Sequence, residues 1–268
     1  MRSLTSITLA FTAILCVASC TFQPAIDAEG NVTIRKPNSV MLGHGIREFK
    51  HLKRTKKTSN DPRYTKRVER VASRLRKVID LPGAEWEFVI FKDNSPNAFC
   101  LPGGKVGINT GLFRITGEDD ALLAAVLGHE ISHATANHAE QRMYRAIGII
   151  LGGALVWHVF DNNDFNHSGE ALAAYTLGAY VFDSLPLSRR QEHESDKMGA
   201  IFMAKAGYDP RKSVTLWRLL KSHHFNANGE KPEFLRTHPQ DENRIKALEN
   251  FMPVALRHYH ASKKARTR

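Results

Sequence analysis

The segment His129-Glu130-Ile131-Ser132-His133 constrains this chain more than any other stretch. Histidines four residues apart stand one above the other on an α-helix, so two imidazoles can reach a single metal ion. Glu130 stands beside them, close enough to act on a water at that metal. Ala121 to Val126 are strong helix formers, and Thr116 with Asp119 three positions on has the form of a capping box for one long helix from about Glu118.

Two histidines do not complete a hydrolytic zinc site, which needs a third protein ligand and an open position. Glycine and histidine six and ten residues after His129 would supply the metzincin pattern, but Thr135 and Ala139 stand there. Downstream, Gln191-Glu192-His193-Glu194-Ser195-Asp196 offers carboxylates on a second helix. Glu192 and Asp196 share a face at i, i+4, which suits a metal ligand followed by a carboxylate that orients a ligating histidine through its free ring nitrogen. Glu194 points roughly 160° away from Glu192 on a helix of 3.6 residues per turn. Glu192 is therefore favoured as the third ligand and His193 is read as a surface residue. His44, His138, His158, His167, His223 and His224 show no ligand spacing and are read as ordinary residues.

The charge is unevenly placed. The 268 residues carry a formal +11, yet Arg47 to Lys77 alone sums to +10 and Arg257 to Arg268 to +5, leaving the rest net acidic. No aromatic-and-basic module accompanies the charge, which argues against nucleic acid; a solvated helix face or an anionic membrane surface fits better. Met1 to Cys20 has the form of a signal peptide, with Arg2 ahead of an apolar run too short to span a bilayer. Val17-Ala18-Ser19-Cys20 resembles a bacterial lipobox, with Cys20 as the lipidated residue; Thr21 after it favours the outer membrane. Cys16 would leave with the signal, so Cys100 alone remains in the folded body, as a small apolar residue with no disulfide. The expected organisation is a signal at 1–19, a lipidated basic tether at 20–60, a catalytic domain at 61–255 and a basic tail at 256–268.

Within that domain, Asp61-Pro62 opens a helix, and Val68, Val71, Leu75 and Val78 form its apolar stripe. Trp86, Phe88 and Ile90 alternate as a strand. Asn97 to Leu101 and Lys105 to Thr110 flank Pro102-Gly103-Gly104 as a hairpin. Two apolar runs, Ala146 to Phe160 and Ala171 to Val181, are shorter than the roughly 20 residues of a membrane span and read as buried or interfacial helices. Helices are expected from about Ser188 to Ala206, through Val214, Trp217 and Leu220, and around Ile245 and Leu248, with Thr237-His238-Pro239 in a loop between the last two.

His129 to His133, together with Ser188 to Gly199 and its Glu192-His193-Glu194-Ser195-Asp196, resembles the zinc metallopeptidases that include HtpX, the OMA-type proteases and the CAAX prenyl proteases. Asn97-Ala98-Phe99, Pro102-Gly103-Gly104, Thr110-Gly111-Leu112, Thr237-His238-Pro239 and Arg244 match as well, so the resemblance runs from about Asp61 to Phe251. It is strongest to the OMA-like lipoprotein and periplasmic branch that includes LoiP and BepA. Ser195 departs from the usual alanine, and no tetratricopeptide array follows, so a partner-binding role resting on such an array is not carried over.

The resemblance implies an α+β fold, a mainly helical gluzincin domain with a small sheet or hairpin beside the HExxH helix. It implies one Zn²⁺ held by His129, His133 and Glu192, which would polarise the scissile carbonyl, with Glu130 as general base. It also implies that the strand from about Val106 to Thr110, through Val106, Ile108 and Thr110 with Asn97 nearby, takes substrate as an added strand. His238 would act as an inhibitory ligand at the open zinc position or as a transition-state stabiliser, and Arg244 would either pair with a site carboxylate beside Asp196 or lie exposed. The expected activity is endoproteolysis of unfolded or misassembled proteins in the periplasm, by an enzyme attached to the membrane through its lipid anchor. A chaperone-like or assembly lipoprotein with a closed zinc site, or a zinc hydrolase of a non-protein envelope polymer, are the alternatives.

Overall fold

A computed structural model describes residues 23–161, 168–179, 185–222, 233–239 and 242–267. The signal and lipobox expectations, Cys20 included, lie outside the described residues, as do His167, His223 and His224. The described chain falls into two compact units, one of residues 24–138 with 191–268 and one containing 139–190.

The larger unit opens with a strap. Ile26 bridges Val32, the Thr33 amide donates to the Ala25 carbonyl, and Asp27 closes the turn by accepting from the Glu29 and Asn31 amides. Helix α1 (Ser39–Thr55) follows, capped by the Asn38 side chain on the Met41 amide. Its buried face is Met41, Gly45 and Phe49, one residue per turn, with the Phe49 ring edge-on to Phe91 and Phe99. The expectation of a tether over 20–60 is corrected here: from Pro24 onward this segment is built into the fold. Its apolar stripe is thin because one of its three positions is glycine.

Helix α2 (Pro62–Arg76) starts where Asp61-Pro62 predicts, with the Asp61 carboxylate accepting from the Arg63 amide, and it buries Val68, Val71 and Leu75. Strands β1 (Glu87–Phe91), β2 (Ala98–Leu101) and β3 (Lys105–Asn109) form one sheet in the order β1-β3-β2. β3 runs parallel to β1 and antiparallel to β2. The hairpin turns on Gly103 and Gly104, whose φ of +87° and +76° is left-handed backbone that favours glycine.

After the short α3 (Leu112–Thr116), helix α4 (Asp120–Thr135) carries the HExxH segment. Its cap is Asp119, which accepts from the Ala121 and Leu122 amides at 2.9 and 3.4 Å. The Thr116 hydroxyl is buried without a hydrogen-bond partner, so the expected capping box does not form. α4 is buried along nearly its whole length and packs against β2 and α2.

In the smaller unit, α5 (His138–Asp161) and α6 (Ser168–Ala179) approach so closely that a Cβ on Gly152 would collide with the Tyr175 hydroxyl. Ile147, Ile150, Leu151, Leu155, Trp157 and Leu177 are exposed. No helix among the described residues is long and apolar enough to cross a membrane.

Helix α7 (Leu185–Lys205) returns the chain to the larger unit. It crosses α4 at a glycine pair, where a Cβ on Gly199 would lie 2.8 Å from the His129 amide nitrogen and one on Gly128 would lie 3.0 Å from the Gly199 carbonyl. Gly207, at φ +79°, ends that stretch before α8 (Arg211–Ser222), which buries Val214, Trp217 and Leu220. α9 (Glu233–Thr237) is one short turn, and His238 closes it by donating its amide to the Phe234 carbonyl, so His238 stands at a helix end and not in an open loop. α10 (Glu242–Arg266) completes the fold. The basic tail expected at 256–268 is the continuation of this helix as far as Arg266, whose guanidinium donates to the Ala206 carbonyl.

Candidate metal centre

α4 supplies His129 and His133 from successive turns of one face, and α7 supplies Glu192 across the Gly128–Gly199 contact. The end of α9 brings in His238, and the donor atoms of these four buried residues all lie within 4.8 Å of one another. His129 Nε2 is 3.2 Å from both His133 Nε2 and His238 Nδ1. Glu192 oxygens lie 3.4 Å from His129 Nε2, 3.4 Å from His133 Nε2 and 3.0 Å from His238 Nδ1. Tetrahedral zinc with ligand bonds near 2.0 Å has ligand–ligand edges of about 3.3 Å. The contacts in the set, 3.0 to 3.4 Å, lie near that edge, and three imidazoles with a carboxylate are zinc-type donors, so these residues fit the ion.

A buried layer holds these side chains in place. Asp196 Oδ1 is 3.0 Å from His129 Nδ1, leaving Nε2 to face the centre. Arg244 engages Asp196 through Nε and Nη2, both at 2.9 Å, reaches Glu192 at 3.1 Å, and stacks 4.0 Å from the Trp217 ring centroid. Trp217 Nε1 donates to the same carboxylate at 3.0 Å. Asp196 and Arg244 thus sit where the i, i+4 reasoning and the site-carboxylate alternative put them, and Arg244 is 2% exposed.

The electrostatics follow from burial and these contacts. Burial disfavours the His129 imidazolium, but Asp196 and Glu192 outweigh it and raise the group to about 9. Burial holds His133 well below the ordinary histidine value, aided by the surrounding imidazoles against Glu192. Glu192 stays well below the usual carboxylate range because His129 and His238 overcome its burial. Asp196 is lowered in the same sense, burial being overcome first by Arg244 and then by His129. His238 faces two ways: Nδ1 looks into the ligand set and Nε2 lies 3.2 Å from Glu130 Oε1.

The expected substrate contacts are corrected. β3 is the central strand, hydrogen-bonded on both edges, so it cannot accept another strand. Val106 and Ile108 are fully buried in the core. Thr110 Oγ1 is spent on the Asp93 backbone, and Asn97 Oδ1 accepts from the Ala98 amide. The edge beside α4 is β2 instead. Asn109 N–H donates to Asn97 O, and antiparallel alternation then turns the backbone groups of Ala98 and Cys100 outward. Burial, together with the charge of Glu130, pushes the Cys100 thiol up, in keeping with its reading as an apolar residue.

Two residues escaped the spacing argument. His138 is fully buried with Nδ1 2.9 Å from His133 Nδ1, and Glu194 is buried with Oε2 2.7 Å from His138 Nε2. His193, by contrast, is only partly buried and lies outside the ligand set.

A family description, peptidase family M48, matches residues 62–252. Similar proteins include the mitochondrial metalloendopeptidase OMA1 of Schizosaccharomyces pombe, 33% identical over 190 residues that cover 70% of this chain and 53% of that protein. OMA1 of Arabidopsis thaliana is 35% identical over 189 residues, 70% of this chain and 36% of that protein. The β-barrel assembly-enhancing protease of Escherichia coli is 28% identical over 195 residues, 71% of this chain and 39% of that protein. The chain thus spans between about a third and a half of the length of these relatives.

Proposed function

The chain belongs to peptidase family M48, and from that premise we propose that it is a zinc-dependent metalloendopeptidase acting on extended or unfolded protein segments. The observation that carries the reading is the buried donor set of His129, His133, Glu192 and His238, all within 4.8 Å of one another, with Glu130 at its side. Zinc, when bound by His129, His133 and Glu192, supplies Lewis acidity toward a scissile carbonyl and an attacking water. Glu130 takes the proton of that water and returns it to the leaving amine. Asp196, held by Arg244 and Trp217, keeps His129 in the tautomer whose Nε2 faces the ion. The outward backbone groups of Cys100 and the outward carbonyl of Ala98 offer a peptide an edge for strand addition, which gives affinity with little sequence preference.

His238 closes this arrangement. Its Nδ1 stands at the fourth corner of the donor set while its Nε2 engages Glu130, so one imidazole occupies both the open position and the base. This favours the inhibitory role over transition-state stabilisation. It is also what an assembly lipoprotein with a closed site would show, and a casein cleavage assay separates the two. His238→Ala is expected to cleave at least about tenfold faster than wild type, and Glu130→Gln to cleave nothing while keeping its zinc. Loss of activity in His238→Ala would make His238 a stabiliser. No cleavage by wild type or His238→Ala, with zinc bound, would leave the assembly role.

The envelope placement belongs to the same reading. Cys20 as a lipid anchor, and the basic face of α1 and α2 as a contact for anionic lipid, would hold the enzyme at a membrane, in the periplasm and on the outer membrane. Cys20→Ser should move the protein from the membrane fraction to the soluble one, and added salt should weaken its residual binding to anionic vesicles.

A further inference from the structure

The two α4 histidines are supported differently. His129 leans directly on a carboxylate, Asp196. Among the described residues His133 meets no carboxylate at its outer nitrogen; its Nδ1 faces Nδ1 of His138 at 2.9 Å. His138 in turn places Nε2 2.7 Å from Glu194 Oε2, with Ser195 Oγ 3.4 Å from its Nδ1. The other oxygen of Glu194 accepts the backbone amide of Ala25, in the strap that precedes α1. Ala25, His133, His138, Glu194 and Ser195 are all buried.

Hydrogen-bond bookkeeping along this row has one consistent solution. His133 presents Nε2 to the ligand set, so its proton resides on Nδ1 and is donated to Nδ1 of His138. His138 then carries its own proton on Nε2 and donates it to Glu194, the one anionic member of the row. A neutral imidazole that accepts on one nitrogen and donates from the other passes the orienting effect of a carboxylate across a gap that Glu194 cannot span itself. We propose that His138 and Glu194 are positioning residues for the metal: Glu194, seated on the Ala25 amide, fixes the tautomer of His138, and His138 fixes the tautomer and ring plane of the ligand His133. The proposal rests on the metal-centre reading above.

Substitution of partners in this outer layer lowers metal affinity by about 10- to 100-fold in zinc proteins generally. Chelator competition with Zn²⁺ on the full chain therefore tests it, with thermal melting of the chelator-treated protein as a second readout. His138→Leu fills the volume without an acceptor and is expected to weaken zinc binding by about 10- to 100-fold while its melting in chelator stays close to wild type. His138→Asn, whose Oδ1 can take the place of Nδ1 as acceptor, is expected to restore binding to within a few fold. Glu194→Gln, which must turn an N–H toward either His138 or Ala25, is expected to weaken it as His138→Leu does.

Wild-type affinity in both His138→Leu and Glu194→Gln would overturn the proposal, as would a loss in His138→Leu that His138→Asn does not relieve. If His138→Leu fails to fold, the contrast between His138→Asn and Glu194→Gln decides, and equal affinities would overturn it. His129→Ala is the control for the underlying reading. Stoichiometric zinc in wild type that is lost in His129→Ala keeps the metal centre intact whatever His138 does; zinc absent from wild type, or retained in His129→Ala, would overturn both.

Discussion

At Arg244 a single guanidinium joins Asp196, Glu192 and the Pro239 carbonyl while lying flat on Trp217. Its planar fork meets Asp196 through two nitrogens, a geometry that an ammonium cannot copy. Removing it leaves two carboxylates buried without their shared cation. Arg244→Leu is expected to cost about 3–5 kcal/mol in urea unfolding, and Arg244→Lys to recover little of it. The sequence leaves Arg244 open between a partner of the site and an exposed helix residue, because nothing in a helical wheel says which face of α10 meets α8. His138 is hidden for a different reason. His138 stands five residues after His133, outside the i, i+4 count that finds His129 and His133, and Asn137, at φ +56°, ends the helical run between them. The proximity of a third histidine five residues on is the signal that was there to be read.

Among the elements, α4 is held at its start by carboxylates that are legible in part. Asp119 caps the helix and pairs with Lys212 at 2.5 Å, while Asp120 faces Arg67 and Arg70. Burial opposes ionisation of both, yet Lys212 and the Ala121 and Leu122 amides at Asp119, and Arg70 and Arg67 at Asp120, outweigh it and lower each acid below its ordinary value. A depressed acid stabilises the fold fully above its unfolded value of about 3.9 and loses that contribution as pH falls through the lower folded value. Wild type should therefore lose stability more steeply between about pH 5 and pH 2 than the double variant Asp119→Asn, Asp120→Asn, in urea titrations across that range.

The crossing of α4 and α7 makes a second prediction at this scale. Any side chain on Gly199 meets backbone of His129, which cannot rotate away. Gly199→Ala should separate the helices that carry the zinc ligands, cost about 1–3 kcal/mol in the same unfolding assay, and weaken zinc binding in chelator competition. Periodicity finds α2 because its stripe is dense, and the helix formers Ala121 to Val126 with the HExxH spacing find α4, but the thin stripe of α1, Met41, Gly45 and Phe49, is missed. The resemblance places substrate on β3 as if it were an edge, and the sequence pattern cannot correct this, because the parallel pairing of β1 with β3 joins segments separated by β2 and leaves no local trace.

For the molecule as a whole, the ligands come from two stretches of chain with 139–190 between them. The ends of that excursion are tied together, since the Gln191 side chain donates to the His138 carbonyl at 3.4 Å. Every ligand, Glu130, Asp196 and Arg244 belong to the larger unit. Replacing residues 143–186 with a short glycine-serine linker is therefore expected to keep stoichiometric zinc with affinity within a few fold of wild type, read by chelator competition. Loss of zinc from such a protein would mean that the excursion shapes the site after all. The overall +11, met first as a property of the chain, belongs largely to the exposed faces of α1 and α2 and not to the centre, where the buried Glu130, Glu192, Glu194 and Asp196 stand with one guanidinium.

The tie between His138 and Gln191 also bears on how this chain can change over time. If departure and return are fixed by that hydrogen bond, what lies between them is expected to tolerate changes in length and apolar composition with little shift of the donor set. Selection on the proposed chemistry and selection on the excursion would then act on nearly separate parts of one gene.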